Sequence, residues 1–472
     1  MGWFVANEAK EIKFHPHQQL IIDHIHAHDR CAVWAGMGLG KTSCALTALN
    51  SFYLLGETHP TLILAPLRVA RDTWPDEFKK WSHLRGLEVM PIIGSEQERK
   101  FALRQDVPVY TLNYENLPWL IEHLGEKWPF RTVVADESTK LKGFRLKQGG
   151  KRTQALGQVA HTKIKRIIEL TGTPAPNGLA DLWGQAWFLD AGARLGRTYA
   201  SFRQRWFQRS FDGYGSDPLP FAQEQIQDKL RDICLTVDPK DWFDLKEPIV
   251  NNIFVDLPPK ARIKYREMER EMFTQLEGRD VEAFNAAART QKCLQIANGA
   301  AYVDPLADSD QHRKAKEWRL VHDEKLDALE DVIEEAAGMP VLVAYEFRSD
   351  LARITARFKG AADLSTTDGL RRFKEGKVLV GCAHPASLGH GIDGLQYVTN
   401  IACFFGHNWN LEYYQQIIER IGPMRQLQAG LDRAVFLHHI IARNTVDEDV
   451  MARRESKRSV QDILLDAMKR RG

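Results

Sequence analysis

The residue run with the most specific chemistry is a glycine-rich turn between a short apolar run and a helical pattern, within AVWAGMGLGKTSCALTAL. Glycines have no Cβ, so the backbone of such a turn can curl until several N–H groups face one anion. A lysine directly after the turn can reach the outer phosphates of a triphosphate, and a threonine hydroxyl can bind magnesium. The sequence therefore predicts one nucleoside triphosphate site with magnesium, formed by Gly36, Gly38, Gly40, Lys41 and Thr42.

Two adjacent carboxylates form the second candidate site. Asp136 and Glu137 end the apolar run TVVADE. Ligands of parallel α/β sheets bind at the carboxyl ends of the strands, where a strand here would deliver both acids. Asp136 is then predicted to hold magnesium and Glu137 to polarise an attacking water. The alternative is a strand-end turn with two solvated acids.

These residues need a parallel sheet to position them, and the chain has the pattern for two. Short β-branched runs that end in glycine, proline, serine or a charge alternate with amphipathic segments, which is typical of a parallel α/β sheet. We predict an α/β fold with residues 1–250 as the first domain and residues 251–472 as the second. A helical insertion is expected at about 178–245, and a helical segment at about 260–320 begins the second domain. The predicted strands are 31–34, 61–65, 107–112, 132–135, 167–170, 341–345, 378–381, 398–405 and 435–441.

The composition is that of a globular chain whose net charge indicates no partner. The 472 residues are 44% hydrophobic and 27% charged, and 64 basic residues against 62 acidic ones leave a net charge of +2. Any surface for a polyanion must therefore be local. The six cysteines include no CxxC pair, which favours reduced thiols over a zinc site or a disulfide frame. The apolar runs are too short to cross a bilayer, so a cytoplasmic protein without membrane contact is expected.

The most pronounced local charge is a basic run that follows the carboxylates. Residues 138–152 contain several basic side chains and no acidic one, which suits contact with a phosphate backbone. The alternative is a solvated loop. A second segment, SFRQRWFQRSF at 201–211, alternates arginines with aromatics, and either base stacking or a buried helix face would explain it. The candidate contacts of the basic run are Lys140, Lys142, Arg145 and Lys147.

Together, the motifs resemble those of superfamily 2 helicases and translocases, specifically the Swi/Snf-like branch, in a compact form similar to DEAD/DEAH-type helicases encoded by bacteriophages. The resemblance follows the family's motif order along nearly the whole chain. The motifs are HPHQ, MGLGKT, LILAPLRVARDTWPDEFKKW, TLNYENL, DESTKLK, LTGTPAPN, SLGHGID and QQIIERIGPMRQ.

The resemblance implies two RecA-like lobes that bind one ATP in the cleft between them. Gln18 is similar to the residue that reads adenine in this family. Pro66 and Leu67 lie in the motif that resembles its nucleic-acid strand contact. Gly391 and Asp393 resemble the element that senses the nucleotide from the second lobe.

The last motif implies cations that act on the γ-phosphate. Gln416 and Arg420 are four residues apart, so they share one helix face, from which a cation can point at the γ-phosphate. The family usually has a second arginine three residues after the first, but this chain has Pro423 there. Proline is expected to end the helix, and Arg425 is the nearest replacement. We therefore predict that both Arg420 and Arg425 approach the γ-phosphate.

The resulting functional prediction is an ATP-dependent DNA translocase or helicase, in which ATP hydrolysis drives movement on duplex DNA. One alternative is a nucleic-acid-binding clamp with a vestigial nucleotide site, and another is an RNA helicase. The predicted cofactors are ATP and magnesium, and the predicted partner is duplex DNA, whereas the sequence does not identify a protein partner. We expect a monomer, in the host cytoplasm if the chain is viral.

Overall fold

The strands predicted from the β-branched runs assemble into two parallel sheets, each flanked by helices. The computed structural model describes residues 11–36, 38–147, 149–209, 216–274, 283–303, 317–388 and 392–469. The chain divides into a first unit, Met1–Asp244 with Lys457–Gly472, and a second unit, Leu245–Ser456. This arrangement confirms the predicted α/β class with two RecA-like sheets.

The first unit is organised around one sheet. Its strands are β1 (Arg30–Ala35), β2 (Thr61–Ala65), β3 (Val89–Pro91), β4 (Val109–Asn113), β5 (Thr132–Asp136), β6 (Arg166–Thr171), β7 (Phe207–Arg209), β8 (Ser216–Pro218) and β9 (Cys234–Val237). β7 and β8 form an antiparallel hairpin, and the other seven strands form a parallel sheet in the order β3-β4-β2-β5-β6-β1-β9. In this order the carboxyl ends of β5, β6 and β1 lie side by side, so the residues that follow these strands share one edge.

Helices flank this sheet and bury its strands. They are α1 (Pro16–Ala27), α2 (Lys41–Leu54), α3 (Trp74–Lys80), α4 (Glu96–Ala102), α5 (Leu117–Leu124), α6 (Lys151–Ala160), α7 (Leu182–Asp190), α8 (Tyr199–Trp206) and α9 (Ala222–Leu230). Every residue of β2 and of β4 is buried, as expected for strands covered on both faces.

The second unit contains a six-stranded parallel sheet and a short antiparallel pair. Its strands are β10 (Ile249–Val255), β11 (Ala300–Tyr302), β12 (Trp318–Leu320), β13 (Val341–Ala344), β14 (Ala362–Asp363), β15 (Val380–Ala383), β16 (Ile401–Phe404) and β17 (Phe436–Ala442). The parallel sheet has the order β10-β17-β16-β13-β15-β14, and β11 pairs with β12. The remaining helices are α10 (Pro259–Thr274), α11 (Ala283–Asn298), α12 (Glu324–Glu335), α13 (Arg348–Arg357), α14 (Thr367–Lys374), α15 (Pro385–Leu388), α16 (Leu411–Ile421), α17 (Pro423–Gln428) and α18 (Val446–Lys469).

The stretch 178–245, predicted as a helical insertion, is not wholly helical. It contains α7, α8 and α9, but also the β7-β8 hairpin and β9, which pairs with β1 at the edge of the main sheet. The run CLTV that forms β9 is only partly buried, unlike the fully buried apolar runs of the central strands β2 and β4.

The boundary between the units falls between Asp244 and Leu245. The predicted division after residue 250 would cut through β10, which pairs along its whole length with β17 of the second sheet. The predicted helical segment at 260–320 corresponds to α10 and α11 followed by the β11-β12 pair. Residues 275–282 and 304–316 of that segment lie outside the described residues.

The aromatic and basic segment at 201–211 separates into two kinds of residue. Phe202 and Trp206 are fully buried on α8, which confirms the buried-face interpretation for them. Arg205 and Arg209 are exposed, and Phe211 lies outside the described residues. All six cysteines are free and buried, as predicted. In the part of the chain that is described, no helix combines the length and apolarity needed to span a membrane.

Candidate nucleotide and nucleic-acid site

The glycine turn, defined by Gly36, Gly38 and Gly40, connects the end of β1 to the start of α2. Gly38 and Gly40 have φ angles of 83° and 81°, in the left-handed region that favours glycine. Lys41 Nζ donates hydrogen bonds to the carbonyl oxygens of Ala35 (2.6 Å) and Gly36 (3.0 Å). The first turn of α2 contains no acidic residue, so its N-terminus is electrostatically suited to an anion.

Gln18, the predicted adenine reader, lies against this turn. Its Nε2 donates to the carbonyl oxygen of Leu39 (3.4 Å), and its Oε1 accepts from the backbone N–H of His15 (3.0 Å). A Cβ on Gly40 would clash with Gln18 Nε2, so glycine at this position leaves room for the glutamine. The structure therefore brings α1 and the glycine turn together.

Asp136 ends β5, and its carboxylate is held from two sides. Trp74 Nε1 donates to Asp136 Oδ2 (2.8 Å), and the backbone N–H of Glu137 donates to Oδ1 (3.1 Å). The Tyr114 hydroxyl donates to the carbonyl oxygen of Asp136 (2.9 Å). Burial raises the pKa of the Asp136 carboxyl, and the Trp74 hydrogen bond and the Lys41 ammonium oppose that rise. Lys41 and Asp136 are thus close enough to interact through their charges.

Glu137 has a backbone conformation that non-glycine residues rarely adopt. Its φ and ψ are both 56°, which is left-handed. Such a residue costs roughly 1 kcal/mol and persists where its surroundings fix it. The short 3₁₀ turn Ser138–Leu141 follows, and Ser138 Oγ donates to Gln185 Oε1 (2.9 Å) inside the core. Backbone strain at a predicted catalytic residue is consistent with a functional constraint.

β6 lies between β5 and β1 and contributes two buried polar side chains. Thr171 Oγ1 accepts from the backbone N–H of Thr173 (3.1 Å) in the turn after the strand. Glu169 is the register partner of Ala135 on β5 and of Ala32 on β1. Its Oε1 is buried without a hydrogen-bond partner among the described residues, and burial raises the pKa of Glu169 well above its usual range.

The side chains present fit a magnesium ion that is also bound by phosphate. Thr42 offers a half-buried hydroxyl at the start of α2, and each Asp136 carboxylate oxygen keeps a lone pair beyond its one hydrogen bond. Magnesium commonly takes one or two protein oxygens together with substrate phosphates and waters. Within the described ranges, no group of three or more His, Cys, Asp or Glu side chains could hold a metal.

In the second unit, α16 carries two of the predicted residues. Gln416 and Arg420 are both buried on this helix. Gln416 Nε2 donates to Glu412 Oε1 (3.3 Å), whereas Gln416 Oε1 is buried with no hydrogen-bond partner in the part of the chain that is described. A buried carbonyl oxygen without a donor is costly, so it is a reasonable acceptor for a ligand or water.

The helix α16 ends just before Pro423, as predicted, and a second helix begins there. Gly422 is extended, and Pro423 opens α17, which carries Arg425. Arg425 Nη1 lies 3.3 Å from Asp393 Oδ1. Partial burial would raise the pKa of Asp393, but Arg425, the backbone N–H of Gly394 and, less strongly, Arg420 and Lys374 together lower it. Asp393 therefore lies near both arginines, while Gly391 lies outside the described residues.

The basic side chains of the run at 138–152 differ in their exposure and in their contacts. Lys147 is exposed and Lys140 is half-buried. Lys142 Nζ lies 3.9 Å from Asp181 Oδ2. Arg145 is held inside the first unit, with its guanidinium 3.3 Å from the centroid of the Tyr199 ring. Arg145 therefore has a packing role that the sequence did not indicate.

The predicted strand-contacting residues follow β2 directly. Pro66 is buried, whereas the Leu67 side chain is 47% exposed. A helical stretch begins at Leu67 and passes through a π-helical turn, Val69–Thr73, into α3. Leu67 is thus available for contact and Pro66 is not.

Comparison with known proteins defines the family. Residues 23–305 match the model of the SNF2-related domain. Protein p41 of Acyrthosiphon pisum secondary endosymbiont phage 1 is 54% identical over 463 residues, which cover 97% of this chain and 98% of p41. The chain belongs to the SNF2-related family. This membership confirms the Swi/Snf-like resemblance read from the motifs, including its similarity to a phage-encoded protein.

Further relatives of this SNF2-related chain are longer proteins. Helicase SWR1 of Mycosarcoma maydis is 31% identical over 188 residues, covering 37% of this chain and 10% of SWR1. The mouse SWI/SNF-related matrix-associated actin-dependent regulator of chromatin subfamily A member 1 is 21% identical over 464 residues, covering 91% of this chain and 41% of the mouse protein. The chain thus spans less than half of either relative. The Sulfolobus solfataricus SWI2/SNF2 ATPase core in complex with dsDNA is 20% identical, with 97% of this chain and 94% of that chain covered and a TM-score of 0.44.

Membership of the SNF2-related family implies ATP use and supports a nucleic-acid-dependent ATPase.

The sequence motifs of this SNF2-related chain did not identify two residues that lie beside its carboxylate site. Glu169 was visible only as an acid within the apolar run IIELT. Trp74 was visible only as an apolar residue in a mostly polar segment, and nothing in its neighbourhood indicated its contact with Asp136.

Proposed function

We propose that this chain is an ATP-dependent translocase on duplex DNA that hydrolyses one ATP at the glycine turn. The observation that carries the proposal is the strand order, because β1 and β5 flank β6 in one parallel sheet. Their carboxyl ends lie at one edge, so the phosphate-binding turn with Lys41 lies at the same edge as Asp136, a carboxylate suited to magnesium.

Each residue of the first unit has a distinct part in this proposal. Gln18 selects adenine, Lys41 exchanges its backbone contacts for the outer phosphates, and Thr42 and Asp136 hold magnesium. Bound magnesium supplies positive charge that stabilises the reacting phosphates. Glu137 orients the attacking water and accepts its proton.

The second unit supplies cations in the same proposal. Arg420 and Arg425 stabilise the negative charge that develops on the γ-phosphate, and the unpartnered Gln416 oxygen is available to accept a hydrogen bond from the water or ligand. Asp393 binds Arg425 between turnovers.

DNA is the proposed partner because the family, the motif that contains Leu67 and the basic run all indicate contact with nucleic acid. The exposed Leu67 and the lysines Lys140, Lys142 and Lys147 of the basic run supply the proposed contacts. The named relatives include a helicase and a chromatin regulator, which supports DNA over RNA. The proposal covers movement on duplex DNA with or without strand separation, which the triplex assay below distinguishes.

A phosphate-release assay with duplex DNA, single-stranded DNA, RNA and no nucleic acid tests this function. We expect the largest stimulation with duplex DNA. Glu137→Gln should retain ATP binding and lose most turnover, whereas Lys41→Ala should weaken ATP binding itself. Glu122→Gln, at an exposed position of α5, is the matched control.

The alternatives predict other results in the same assay. Tight ATP binding with no phosphate release under any condition would indicate a clamp with a vestigial site. Stronger stimulation by RNA than by DNA would indicate an RNA helicase. Displacement of a third strand from a DNA triplex, without unwinding of the duplex, would distinguish a translocase from a helicase.

A further inference from the structure

Trp74 makes a specific contact with the carboxylate proposed to hold magnesium. Its side chain is fully buried at the start of α3. Its indole Nε1 donates a 2.8 Å hydrogen bond to Asp136 Oδ2, between residues 62 apart in the chain. A buried indole N–H needs an acceptor, and hydrogen bonds to an ionised group are about twice as strong as neutral ones. The contact therefore does more than fill space in the core.

The hydrogen bond fixes how the Asp136 carboxylate is turned. The torsion that rotates a carboxylate of aspartate has a broad energy minimum, so its orientation depends on its partners. Here one oxygen accepts from Trp74 and the other accepts from the backbone N–H of Glu137. Without the indole donor only one of these partners remains. The orientation of the lone pairs left for a metal would then be poorly defined.

The other end of the same helical stretch lies at an exposed residue. The stretch begins at Leu67, which is 47% exposed, and its π-helical turn, Val69–Thr73, directly precedes Trp74. π-helical turns are rare and frequently occur at functional sites. The turn also contacts β4, because the Ala70 carbonyl accepts a buried 2.6 Å hydrogen bond from Thr111 Oγ1. Leu67 and Trp74 are thus joined by a short, internally bonded segment.

We propose that Trp74 is a positioning residue that couples nucleic-acid contact at Leu67 to magnesium binding at Asp136. Contact of DNA with the start of the helical stretch shifts the π-helical turn, which moves the Trp74 indole and reorients the carboxylate. DNA then changes the affinity for magnesium with ATP, and has little effect on the affinity for ATP alone. This inference rests on the proposed function and adds the internal route by which DNA acts on the nucleotide site.

The test compares Trp74→Phe with Trp81→Phe. Phenylalanine keeps an aromatic ring but has no N–H. Trp81 is a matched control because it follows the same helix and its Nε1 also donates to a carboxylate, Glu77 Oε2 (2.6 Å), away from Asp136. Binding of a fluorescent ATP analogue is titrated with magnesium, with and without duplex DNA, and again in EDTA.

We expect Trp74→Phe to raise the half-saturating magnesium concentration roughly tenfold, the usual size of such outer-shell effects. It should also abolish the shift that DNA causes, and leave the affinity in EDTA unchanged. Trp81→Phe should match the parent in its half-saturating magnesium concentration, in the shift that DNA causes and in its affinity in EDTA. If both variants match the parent while the parent shows DNA-dependent ATPase activity, the inference is overturned and the proposed function stands. A parent without that activity contradicts the proposed function instead.

A second variant keeps the test decisive if Trp74→Phe does not fold. Leu67→Ala changes an exposed side chain at the far end of the stretch, so folding is not at risk. We expect it to reduce the DNA-induced shift in half-saturating magnesium at least threefold at saturating DNA. An unchanged shift would overturn the coupling between Leu67 and Asp136.

Discussion

Arg425 Nη1 lies 3.3 Å from Asp393 Oδ1 in the second unit, although 31 residues of the chain lie between these two residues. The Arg425 side chain is 20% exposed and that of Asp393 is 68% exposed. Because the Asp393 side chain is largely exposed, solvent screens the pair, which contributes about 1 kcal/mol or less. The pair can therefore break when a more highly charged anion, such as a triphosphate, competes for the arginine.

Both Arg420 and Arg425 should be needed for turnover. Arg420→Ala and Arg425→Ala should each lower the ATPase rate at saturating ATP and DNA by about 30-fold or more, because each removes about 2 kcal/mol of transition-state stabilisation. Arg371→Ala is the control, since Arg371 is exposed and paired with Asp368 and Glu375. Full activity of Arg425→Ala together with inactivity of Arg420→Ala would leave Arg420 as the single acting cation.

Glu169 should lower the stability of the protein at neutral pH. Its buried Oε1 has no hydrogen-bond partner among the described residues. We expect Glu169→Leu to raise the free energy of unfolding at pH 7.5 by roughly 1–3 kcal/mol, because it removes an unsatisfied buried polar group. Urea unfolding measures the change, and Glu122→Leu at an exposed position should have little effect.

The same residue predicts a pH dependence. Folding raises the pKa of Glu169 well above its ordinary value of 4.5, so the folded state keeps a proton that the unfolded state releases. The stability contributed by this proton is complete below pH 4.5 and is lost as the pH rises above it. Between pH 5 and 7.5 the parent should lose stability that Glu169→Leu retains. Parallel pH profiles would mean that Glu169 is ionised in the folded protein.

The pKa of His439 should make the protein less stable as the pH falls, whereas the pKa of Glu169 makes it less stable as the pH rises. Burial, with Arg454 and His438 nearby, lowers its pKa to about 3. Its ring nitrogens hydrogen-bond with the Tyr414 hydroxyl (3.0 Å) and Asn252 Oδ1 (3.2 Å). The unfolded state therefore binds a proton that the folded state excludes, and stability is lost as the pH falls from 6.5 towards 3.

A comparison of unfolding at pH 7 and pH 4.5 checks this expectation for His439. His439→Gln should show a smaller loss of stability between the two pH values than the parent does. His26→Gln, at an exposed position of α1, should leave the loss unchanged. An equal loss in all three proteins would assign the acid sensitivity to other groups.

The basic run should divide into charges that bind DNA and a charge that stabilises the fold. Replacement of Lys140, Lys142 and Lys147 together by glutamine should reduce the slope of log affinity against log salt by about 2–3, since each phosphate contact contributes about 0.9. The control triple is Lys127, Lys163 and Lys165, close to the amino-terminal ends of β5 and β6. An equal slope change in both triples would mean that the effect is general electrostatics.

Arg145→Ala should instead lower the melting temperature with little change in the salt slope. Its guanidinium stacks on Tyr199 and donates to the carbonyl oxygens of Lys142 (3.1 Å) and Phe144 (2.5 Å). Packing of this kind is lost together with the charge when arginine is truncated. A large drop in DNA affinity without destabilisation would place Arg145 among the DNA contacts.

The features that the sequence predicted are those that local chemistry determines. Gly38 and Gly40 adopt left-handed φ angles directly before Lys41, and β-branched runs such as 132–135 form buried strands that end at Asp136. Such signals lie within a few adjacent residues. They were sufficient for the fold class, the glycine turn and the carboxylates at the sheet edge.

The features that the sequence did not predict depend on residues distant in the chain. Trp74 meets Asp136 only after β2 and β5 pair, and the Arg425 contact with Asp393 needs the second unit to be folded. β9 becomes a strand by pairing with β1, which lies about 200 residues earlier in the chain. Arg145 was predicted as a nucleic-acid contact of the basic run, because its stacking on Tyr199 depends on how α8 packs.

Because Glu137 has a left-handed backbone conformation, the residue types that would be most stable at this position differ from the one that the proposed activity needs. Glycine would relieve the strain there, and asparagine would tolerate it better than glutamate, but neither carries a carboxylate. A library of variants screened for heat resistance alone should therefore accumulate glycine or asparagine at this position and lose its active members. Glutamine keeps nearly the same backbone preference as glutamate, so Glu137→Gln changes the chemistry of the site while leaving its conformational cost in place.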